Sequence, residues 1–332
     1  MSTIQKRRYW RAFMVFARNI GEEKPTIPAC IGSRKLTEED AAKLRQALVD
    51  YGNSFWPIYQ LKRMVEQLLN LALENPPTCE VMLTVRVLNA LRQMCDSHRE
   101  AADFCKIGGA RLLMPFVLHR NEEIRATALN MVGIVVQNNV ARQNIFAMEH
   151  YVPILMHIIG DESSSLSQRQ AMHSLFSLCC SNEQVQHLAC RSGVIALIVR
   201  STRYQWLAVG TSYILGKILS DVPQYKGDAC NEGALEALVN LAYDNDETVL
   251  REQALGTLRI ILCACPEAQQ SACAKRCMLL PKLKVLLERL IQERRTEYLV
   301  PICEQVIRYF GPDEPGEVNN ETEHVRQSDG SL

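Results

Sequence analysis

Apolar and polar residues alternate with helical periodicity along most of this chain. In the segment from Glu123 to Gln137, placing residues about 100° apart around a helix axis collects most of the apolar side chains on one stripe. That stripe, which we expect to be buried, consists of Ala128, Leu129, Val132, Val135 and Val136. The opposite, outward stripe consists of Thr127, Asn130, Ile134 and Gln137. Similar patterns predict helix over nearly all of the chain between residues 77 and 310.

A cysteine or phenylalanine recurs at intervals near forty residues, each time before a short break and an apolar run. The occurrences are Cys105, Phe146, Cys190, Cys230 and Cys273, separated by 41, 44, 40 and 43 residues. A helical repeat of about this length is typical of armadillo and HEAT arrays, whose long surfaces usually bind other proteins. The prediction is an all-α, right-handed armadillo-repeat solenoid of roughly four to five repeats with capping helices. Each repeat divides into three predicted helices, for example Tyr151 to Ile159, Ser165 to Cys180 and Glu183 to Ala189.

Breaks in the helical pattern divide the chain into four predicted regions. Thr37-Glu-Glu-Asp40 is typical of a capping box, with Thr37 as the N-cap, and opens a helix that Gly52-Asn53 ends. Trp56-Pro57 is predicted to lie in a second break, after which helix resumes at Leu61. The regions are an N-terminal helix and linker (1–35), N-terminal capping helices (36–76), armadillo repeats (77–310) and a disordered tail (311–332) that is poor in apolar residues.

The outward stripe can be extended to the neighbouring repeats by shifting along the chain. A shift of 41 residues towards the N-terminus gives Arg86, Asn89, Gln93 and Asp96, and a shift of 44 towards the C-terminus gives Ala171, Ser174, Leu178 and Ser181. We expect these residues to lie on the concave side of the array as a contact surface for a partner. An ordinary solvated face is the alternative that the pattern leaves open.

Composition and charge narrow the class of protein. The 37 basic residues balance the 37 acidic ones, so charge favours neither a nucleic-acid partner nor a membrane surface. No apolar run approaches the roughly 18 residues that a membrane helix needs. The odd number of cysteines, 13, and the lack of a recognisable signal segment favour a reducing compartment. We therefore expect a cytoplasmic protein, with nuclear location as the alternative.

Candidate catalytic and metal-binding residues have simpler structural explanations. The spacing of Cys263, Cys265, Cys273 and Cys277 differs from the paired knuckles of zinc sites, so these cysteines are expected to be core residues without a metal. His173 takes the place of Leu129 one repeat earlier and is expected to be a core histidine. No phosphate loop or nucleophile motif is present, which predicts a binding protein without cofactor or catalysis. The arginines near the starts of long helices are expected to bond neighbouring repeats, with direct contact to a partner as the alternative: Arg125, Arg169 and Arg251.

One part of the chain resembles a known family. The string from Arg125 to Asn139, followed by Gln143-Asn144 and Phe146, closely resembles the signature of the Fes-type and Hsp-binding-protein-type armadillo nucleotide exchange factors. The junction Ala101-Ala-Asp-Phe104 and the helix after Leu36 are also similar to that family, and the likeness spans about residues 36 to 310. Where family members commonly carry a Lys or Arg on the fourth concave helix, this chain has the uncharged Trp206-Leu-Ala-Val-Gly210.

The resemblance implies a cochaperone without chemistry of its own. Such factors hold one lobe of the ATPase domain of the cytosolic seventy-kilodalton heat-shock chaperone in the concave groove and displace the other lobe, which releases ADP. We expect a monomer, and the alternative is an armadillo scaffold for a partner in the ubiquitin pathway or the cytoskeleton. The residues predicted to contact the partner are Arg86, Asn89, Gln93, Ala101, Thr127, Asn130, Ile134, Gln137, Asn138 and Ser174.

Overall fold

A computed structural model describes residues 37–50, 56–73, 81–161, 164–293 and 298–311 of the 332-residue chain. Across these ranges the regular structure is entirely helical. The helices fall into two compact units, the first ending at Tyr225 and the second beginning at Lys226. The predicted N-terminal helix and linker, the Gly52-Asn53 break and nearly all of the predicted disordered tail lie outside the described residues.

The first unit begins with three helices and continues with three triplets, each made of two shorter helices and one long one. The opening helices are α1 (Glu38–Asp50), α2 (Trp56–Leu73) and α3 (Val81–Cys95). The triplets are α4 (His98–Lys106), α5 (Gly109–Val117) and α6 (Glu122–Val136); α7 (Val140–Met148), α8 (Tyr151–Gly160) and α9 (Ser165–Cys179); and α10 (Glu183–Arg191), α11 (Val194–Ser201) and α12 (Ala208–Asp221). A short 3₁₀ turn, Pro223–Tyr225, ends the unit.

The second unit contains two further triplets. The first consists of α13 (Lys226–Asn231), α14 (Ala234–Asp244) and α15 (Thr248–Leu262). The second consists of α16 (Pro266–Ala274), α17 (Arg276–Gln292) and α18 (Leu299–Arg308). Within this unit α15 packs against both α14 and α18. The three-helix division of the repeat predicted from the sequence is therefore confirmed in both units.

Two kinds of tight turn connect the helices, one within each triplet and one between successive triplets. Between the two shorter helices, one residue takes the left-handed conformation, as at Gly108 and Gly193 with φ of 89° and 87°. Glycine suits this position because it lacks the Cβ that makes the conformation costly for other residues. After the long helices α6 and α9, Asn138 and Ser181 are left-handed instead, with φ of 52° and 55°. The chain thus reverses direction within a few residues, which brings successive helices side by side.

Capping side chains fix where the long helices begin. The Asn121 side chain accepts hydrogen bonds from the amides of Glu123 and Ile124, and Ser164 caps α9 through the amide of Ser167. At α1, the amide of Asp40 donates to Thr37 Oγ1 over 3.1 Å, which confirms Thr37 as the N-cap. The Thr37 hydroxyl in turn donates to the Asp40 carboxylate over 2.8 Å.

The start of α2 differs from the prediction. The helix begins at Trp56, so Trp56-Pro57 lies inside it and not in a break. Proline is tolerated there because the amides of the first helical turn have no intrahelical partner to lose. The predicted break was wrong at these two residues, although the helix through Leu61 to Leu73 is confirmed.

The repeat register also differs by one residue from the register predicted. Phe104 and Phe146 each lie four residues before a left-handed residue, Gly108 and His150, whereas Cys105, Cys190 and Cys230 lie three residues before theirs. The cysteine and phenylalanine series therefore mixes two structural positions. Because the N-caps Asn121 and Ser164 are 43 residues apart, the correct shift from α6 to α9 is 43 and not 44.

The core is shared between neighbouring repeats. In the first unit α6 packs against α3 on one side and α9 on the other. All five residues of the stripe predicted to be buried in α6 are buried, from Ala128 to Val136. Hydrogen bonds also cross between repeats, since the Tyr151 hydroxyl donates to the Ala110 carbonyl over 2.7 Å. Among the described residues, every helix falls short of the length and hydrophobicity needed to cross a membrane.

We predict that Gly109→Ala destabilises the first unit by about 1–3 kcal/mol, the usual cost of overpacking a core. A Cβ at Gly109 would overlap the ring of Phe104, which is fully buried. Gly160→Ala is the matched control, because its Cβ would meet only Leu197 Cδ1 at 3.7 Å. Urea denaturation followed by circular dichroism measures both variants. Equal midpoints for the two would contradict the packing described for Phe104.

Candidate functional site

The outward residues of α3, α6 and α9 form a row along the first unit. In the corrected register the row consists of Arg86, Asn89 and Gln93 on α3, Thr127, Asn130 and Ile134 on α6, and Gln170 and His173 on α9. Arg86, Gln93 and His173 are exposed, and the other five are half-buried. We call these eight residues the long-helix row. Arg86 carries the only permanent charge in the long-helix row, so the chemistry of the row is mainly that of amides and hydroxyls.

Three of the side chains in the row are held by hydrogen bonds. The Asn130 amide donates to Gln170 Oε1 over 2.9 Å, which joins α6 to α9 within the row itself. The Thr127 hydroxyl donates to the Glu123 carbonyl one turn earlier over 2.7 Å. The middle of the row is therefore ordered before any partner arrives, which lowers the entropy lost on binding.

Two of the residues predicted to contact a partner lie in the core. Ala101 on α4 is fully buried, so a partner cannot reach it. Ser174 on α9 is also fully buried, and its hydroxyl donates to the Leu129 carbonyl over 2.5 Å. The shift of 44 residues had selected Ser174, together with Ala171 and Leu178, which are buried as well. The correct shift of 43 selects Gln170, His173 and Ser177, of which Ser177 is buried.

Gln137-Asn138-Asn139, part of the segment that resembles the exchange factors, is first of all a turn. Gln137 is the C-cap of α6, Asn138 takes the left-handed conformation, and the Asn139 side chain caps α7 by accepting from the Arg142 amide. Asparagine tolerates the left-handed region better than most residues, which explains its place in the turn. The Gln137 and Asn138 side chains are exposed, so a role in partner contact stays a prediction for both.

Gln143, from the same resembling segment, is buried and connects two repeats. Its amide group donates to the carbonyls of Ser177 and Cys180 over 2.9 and 3.0 Å. Its oxygen accepts from the Asn182 side chain over 3.1 Å, and Asn182 also donates to Asn144. These bonds satisfy carbonyls at the end of α9 that have no intrahelical partner. The part of the signature that includes Gln143 and Asn144 thus stabilises the repeat stack.

The arginines near the starts of the long helices divide into two groups. Arg125 donates to Ser167 Oγ and to the His119 carbonyl, both over 2.9 Å, as expected for a link between repeats. Arg251 is fully buried and pairs with Asp246 over 2.7 Å and with Glu293 over 3.2 Å. Arg169, in contrast, is exposed and one residue out of this register, so the prediction that it matches Arg125 was wrong.

His173 is an exposed residue and not the core histidine that the sequence predicted. Its ring lies close to Gly133 of α6, where an added Cβ would be 2.7 Å from His173 Nδ1. The absence of a side chain at Gly133 therefore provides room for the ring. Partial desolvation lowers the pKa of His173 below its usual value of 6.5, so the ring is neutral at physiological pH.

An apolar cleft of about 340 Å³ lies between α9 and α12. Phe176 and Tyr213 face each other with ring centroids 4.9 Å apart, and Met172 and His173 complete the α9 wall. Trp206 also lines the cleft and donates its indole N–H to Gln168 Oε1 over 3.1 Å. Sequence reasoning noticed only that this region is uncharged. The signal for the cleft was the series Trp206, Val209 and Tyr213, which recurs at helical spacing.

The cysteines are divided between core and surface. Among the residues that the structure describes, no group of three or more His, Cys, Asp or Glu side chains is placed to hold a metal ion. Cys263, Cys273 and Cys277 are exposed, so the prediction that they are core residues was wrong. Burial instead raises the pKa of Cys95 and Cys105 to about 12, which keeps both thiols protonated.

Comparison with known proteins gives a distant sequence relative. The chain is 23% identical over 224 residues to Hsp70-binding protein 1 of Rattus norvegicus, and 22% identical to the Homo sapiens protein of the same name. Each alignment covers 67% of this chain and 62% of the relative, so the chain spans less than two thirds of the length of these proteins. No protein-family model matches the sequence.

Solved structures with a similar backbone are armadillo-repeat proteins. A designed armadillo repeat protein in complex with the peptide (KR)4 has a TM-score of 0.60 at 17% identity, covering 76% of this chain and 99% of that one. Computationally designed armadillo repeat proteins for modular peptide recognition give 0.62 at 16% identity, covering 75% and 98%. At such identities the likeness concerns the fold alone. This chain has the all-α armadillo-repeat fold.

We predict that Gln143→Leu destabilises the protein by about 1–3 kcal/mol, because it leaves buried carbonyls without donors. The control is Gln137→Ala in the same segment, whose exposed side chain should change stability by no more than about 0.5 kcal/mol. Chemical denaturation provides the comparison. A Gln143 variant as stable as the wild type would mean that the buried network contributes little.

We also predict that alkylating reagents separate the cysteines into two classes at neutral pH. Cys263, Cys273 and Cys277 should react quickly, because they are exposed. Cys95 and Cys105 should react only after unfolding, since burial limits access and their raised pKa removes the reactive thiolate. Timed labelling followed by peptide mass spectrometry measures both classes. Rapid modification of Cys95 or Cys105 in the folded protein would contradict their placement.

Proposed function

We propose that this protein is a cochaperone that binds the ATPase domain of Hsp70 through the long-helix row and promotes release of ADP. The observation that carries the proposal is the similarity to Hsp70-binding protein 1 over 224 residues. The segment around Gln143 resembles the armadillo exchange factors and belongs to the same line of sequence similarity. The proposed activity is exerted by binding alone and would take place in the cytoplasm.

The surface chemistry of the row is compatible with a folded protein partner. Exposed Arg86 and Gln93 and half-buried Asn89, Thr127 and Asn130 offer hydrogen-bond donors and acceptors without a strong net charge. Protein–protein interfaces are typically no more apolar than the rest of the surface and are depleted of charge at their centre. A row fixed on packed helices also presents these groups in one arrangement, so that little order is lost when the partner binds.

The effect on ADP follows from differential affinity. A protein that binds the open form of a nucleotide cleft better than the closed form shifts the equilibrium towards the open form. By linkage, the factor by which this protein weakens ADP binding equals the factor by which ADP weakens the binding of this protein. Couplings of the usual size correspond to about 5–150-fold. The protein therefore needs no catalytic group to act as an exchange factor.

We predict that the protein accelerates release of a fluorescent ADP analogue from Hsp70 in a stopped-flow experiment, and that Gln93→Arg with Ile134→Arg abolishes the effect. The two arginines add bulk and charge to the row where the partner approaches. Both positions retain solvent exposure, so the fold should tolerate the change. Met148→Arg, which adds one arginine at an exposed position on α7 outside the row, should accelerate ADP release from Hsp70 as the wild type does.

Each outcome of this experiment has a distinct meaning. If the wild-type protein leaves the release rate unchanged, the exchange-factor proposal is wrong. If it accelerates release and the double variant does so equally, the function stands and the binding surface is elsewhere. Affinity for Hsp70 measured with and without ADP provides the check on linkage, because the two affinities must differ if exchange is promoted.

A further inference from the structure

We propose that residues 312–332, the acidic segment that follows Gly311, bind back onto the surface of α17 in the second unit and cover it. The surface consists of four residues in which apolar and basic side chains alternate, and we call it the α17 ridge: Met278, Lys282, Val285 and Arg289. This inference is independent of the proposed action on Hsp70, because it concerns the other unit and involves no chaperone.

The four residues of the ridge share one side of α17. Their spacing of four, three and four residues keeps them within about 60° of one another around the helix axis. Met278 is 62% exposed and Val285 is 38% exposed, whereas Leu279 and Leu283 point into the core. Scattered exposed apolar residues are common on protein surfaces. These two differ because they are in line with two cations on the same helix.

Neither cation of the ridge is paired with a carboxylate within the part of the chain that the structure describes. Lys282 Nζ donates to the Asn240 side chain over 2.6 Å, and Arg289 donates to the carbonyl and the hydroxyl of Tyr243, both over 3.3 Å. Both cations also lie over the Tyr243 ring, at 5.8 and 4.6 Å from its centre. These neutral contacts hold the cations in place and leave their charge available to an acidic ligand.

The segment after Gly311 has the complementary composition. Of its residues six are acidic and one, Arg326, is basic in the count of Asp, Glu, Lys and Arg. Its valines lie close to carboxylates, since Glu317 precedes Val318 and Glu323 lies two residues before Val325. The segment can therefore offer carboxylates to the cations of the ridge and apolar side chains to Met278 and Val285.

The segment also starts close to the ridge. A Cβ built at Gly311 would lie 4.0 Å from both Arg276 Nη1 and Cys273 Sγ, and Arg276 is the first residue of α17, two before Met278. Twenty-one residues can span up to about 70 Å, whereas the ridge extends about 17 Å along the helix. A short tether gives an effective concentration of about 1 mM, so that even weak complementarity is enough for binding.

The test measures how fast hydrogen peroxide oxidises Met278 in the full-length protein, by peptide mass spectrometry. Met148 on α7 is the internal reference, because its exposed fraction of 58% is close to the 62% of Met278. If the segment covers the ridge for most of the time, Met278 should be oxidised about fivefold more slowly than Met148. Salt at about 1 M should remove most of the difference, since it screens the charges.

Variants on both sides of the contact locate it. Three carboxylates of the segment are neutralised together: Glu317→Gln, Glu321→Gln and Glu323→Gln. This variant, and separately Lys282→Gln with Arg289→Gln, should raise the oxidation rate of Met278 to that of Met148. The matched control neutralises three exposed carboxylates of the first unit: Glu38→Gln, Glu123→Gln and Glu183→Gln. It should leave Met278 protected, and circular dichroism verifies that each variant is folded.

Three results would overturn the inference. Equal oxidation rates of Met278 and Met148 in the wild type would show that the ridge is uncovered. Protection that survives neutralisation of the segment would mean that another part of the chain covers Met278. Protection that grows with protein concentration would identify a second copy of the chain as the occupant. The oxidation experiment contains no chaperone, so a failure of the Hsp70 proposal leaves this inference standing.

Discussion

Burial shared between successive repeats is the constraint on which this structure depends. A triplet of helices cannot enclose a core alone, so α6 is covered by α3 on one side and by α9 on the other. Boundaries between triplets are also crossed by hydrogen bonds, including those from Ser174 to the Leu129 carbonyl and from Asn182 to Gln143. Each long helix therefore contributes to two interfaces, and only a narrow strip between them remains for contact with a partner.

Because that strip is narrow, an error of one residue in the repeat register changes which side chains are predicted to be accessible to a partner. On α9 the exposed His173 and the fully buried Ser174 are adjacent in the chain. A rotation of about 100° per residue is enough to move a side chain from the strip into an interface. The same geometry leaves Asn89, Thr127 and Asn130 half-buried, so that partner contact there involves the ends of side chains whose stems already pack.

The helical pattern was predictable where the cause is local. The buried and outward stripes of α6 followed from periodicity, and Thr37 was recognisable as an N-cap because capping chemistry involves only nearby residues. The one-residue error in the repeat register arose because Phe146 was aligned with Cys190. Phe146 lies four residues before the left-handed residue of its turn, whereas Cys190 lies three residues before its own. An alignment on the left-handed residues, such as Gly108 and Gly193, would have avoided it.

The cleft was not predictable in the same way, because it depends on the distance between α9 and α12. The periodicity of apolar residues indicates which side of a helix is buried, but it does not indicate how closely a neighbouring helix approaches. Trp206 and Tyr213 could be assigned to an outward face from spacing alone, and yet the contact of Tyr213 with Phe176 and the cleft that these rings line exist only in the packed structure. The same limit applies to Gly133, whose role in making room for His173 involves another repeat.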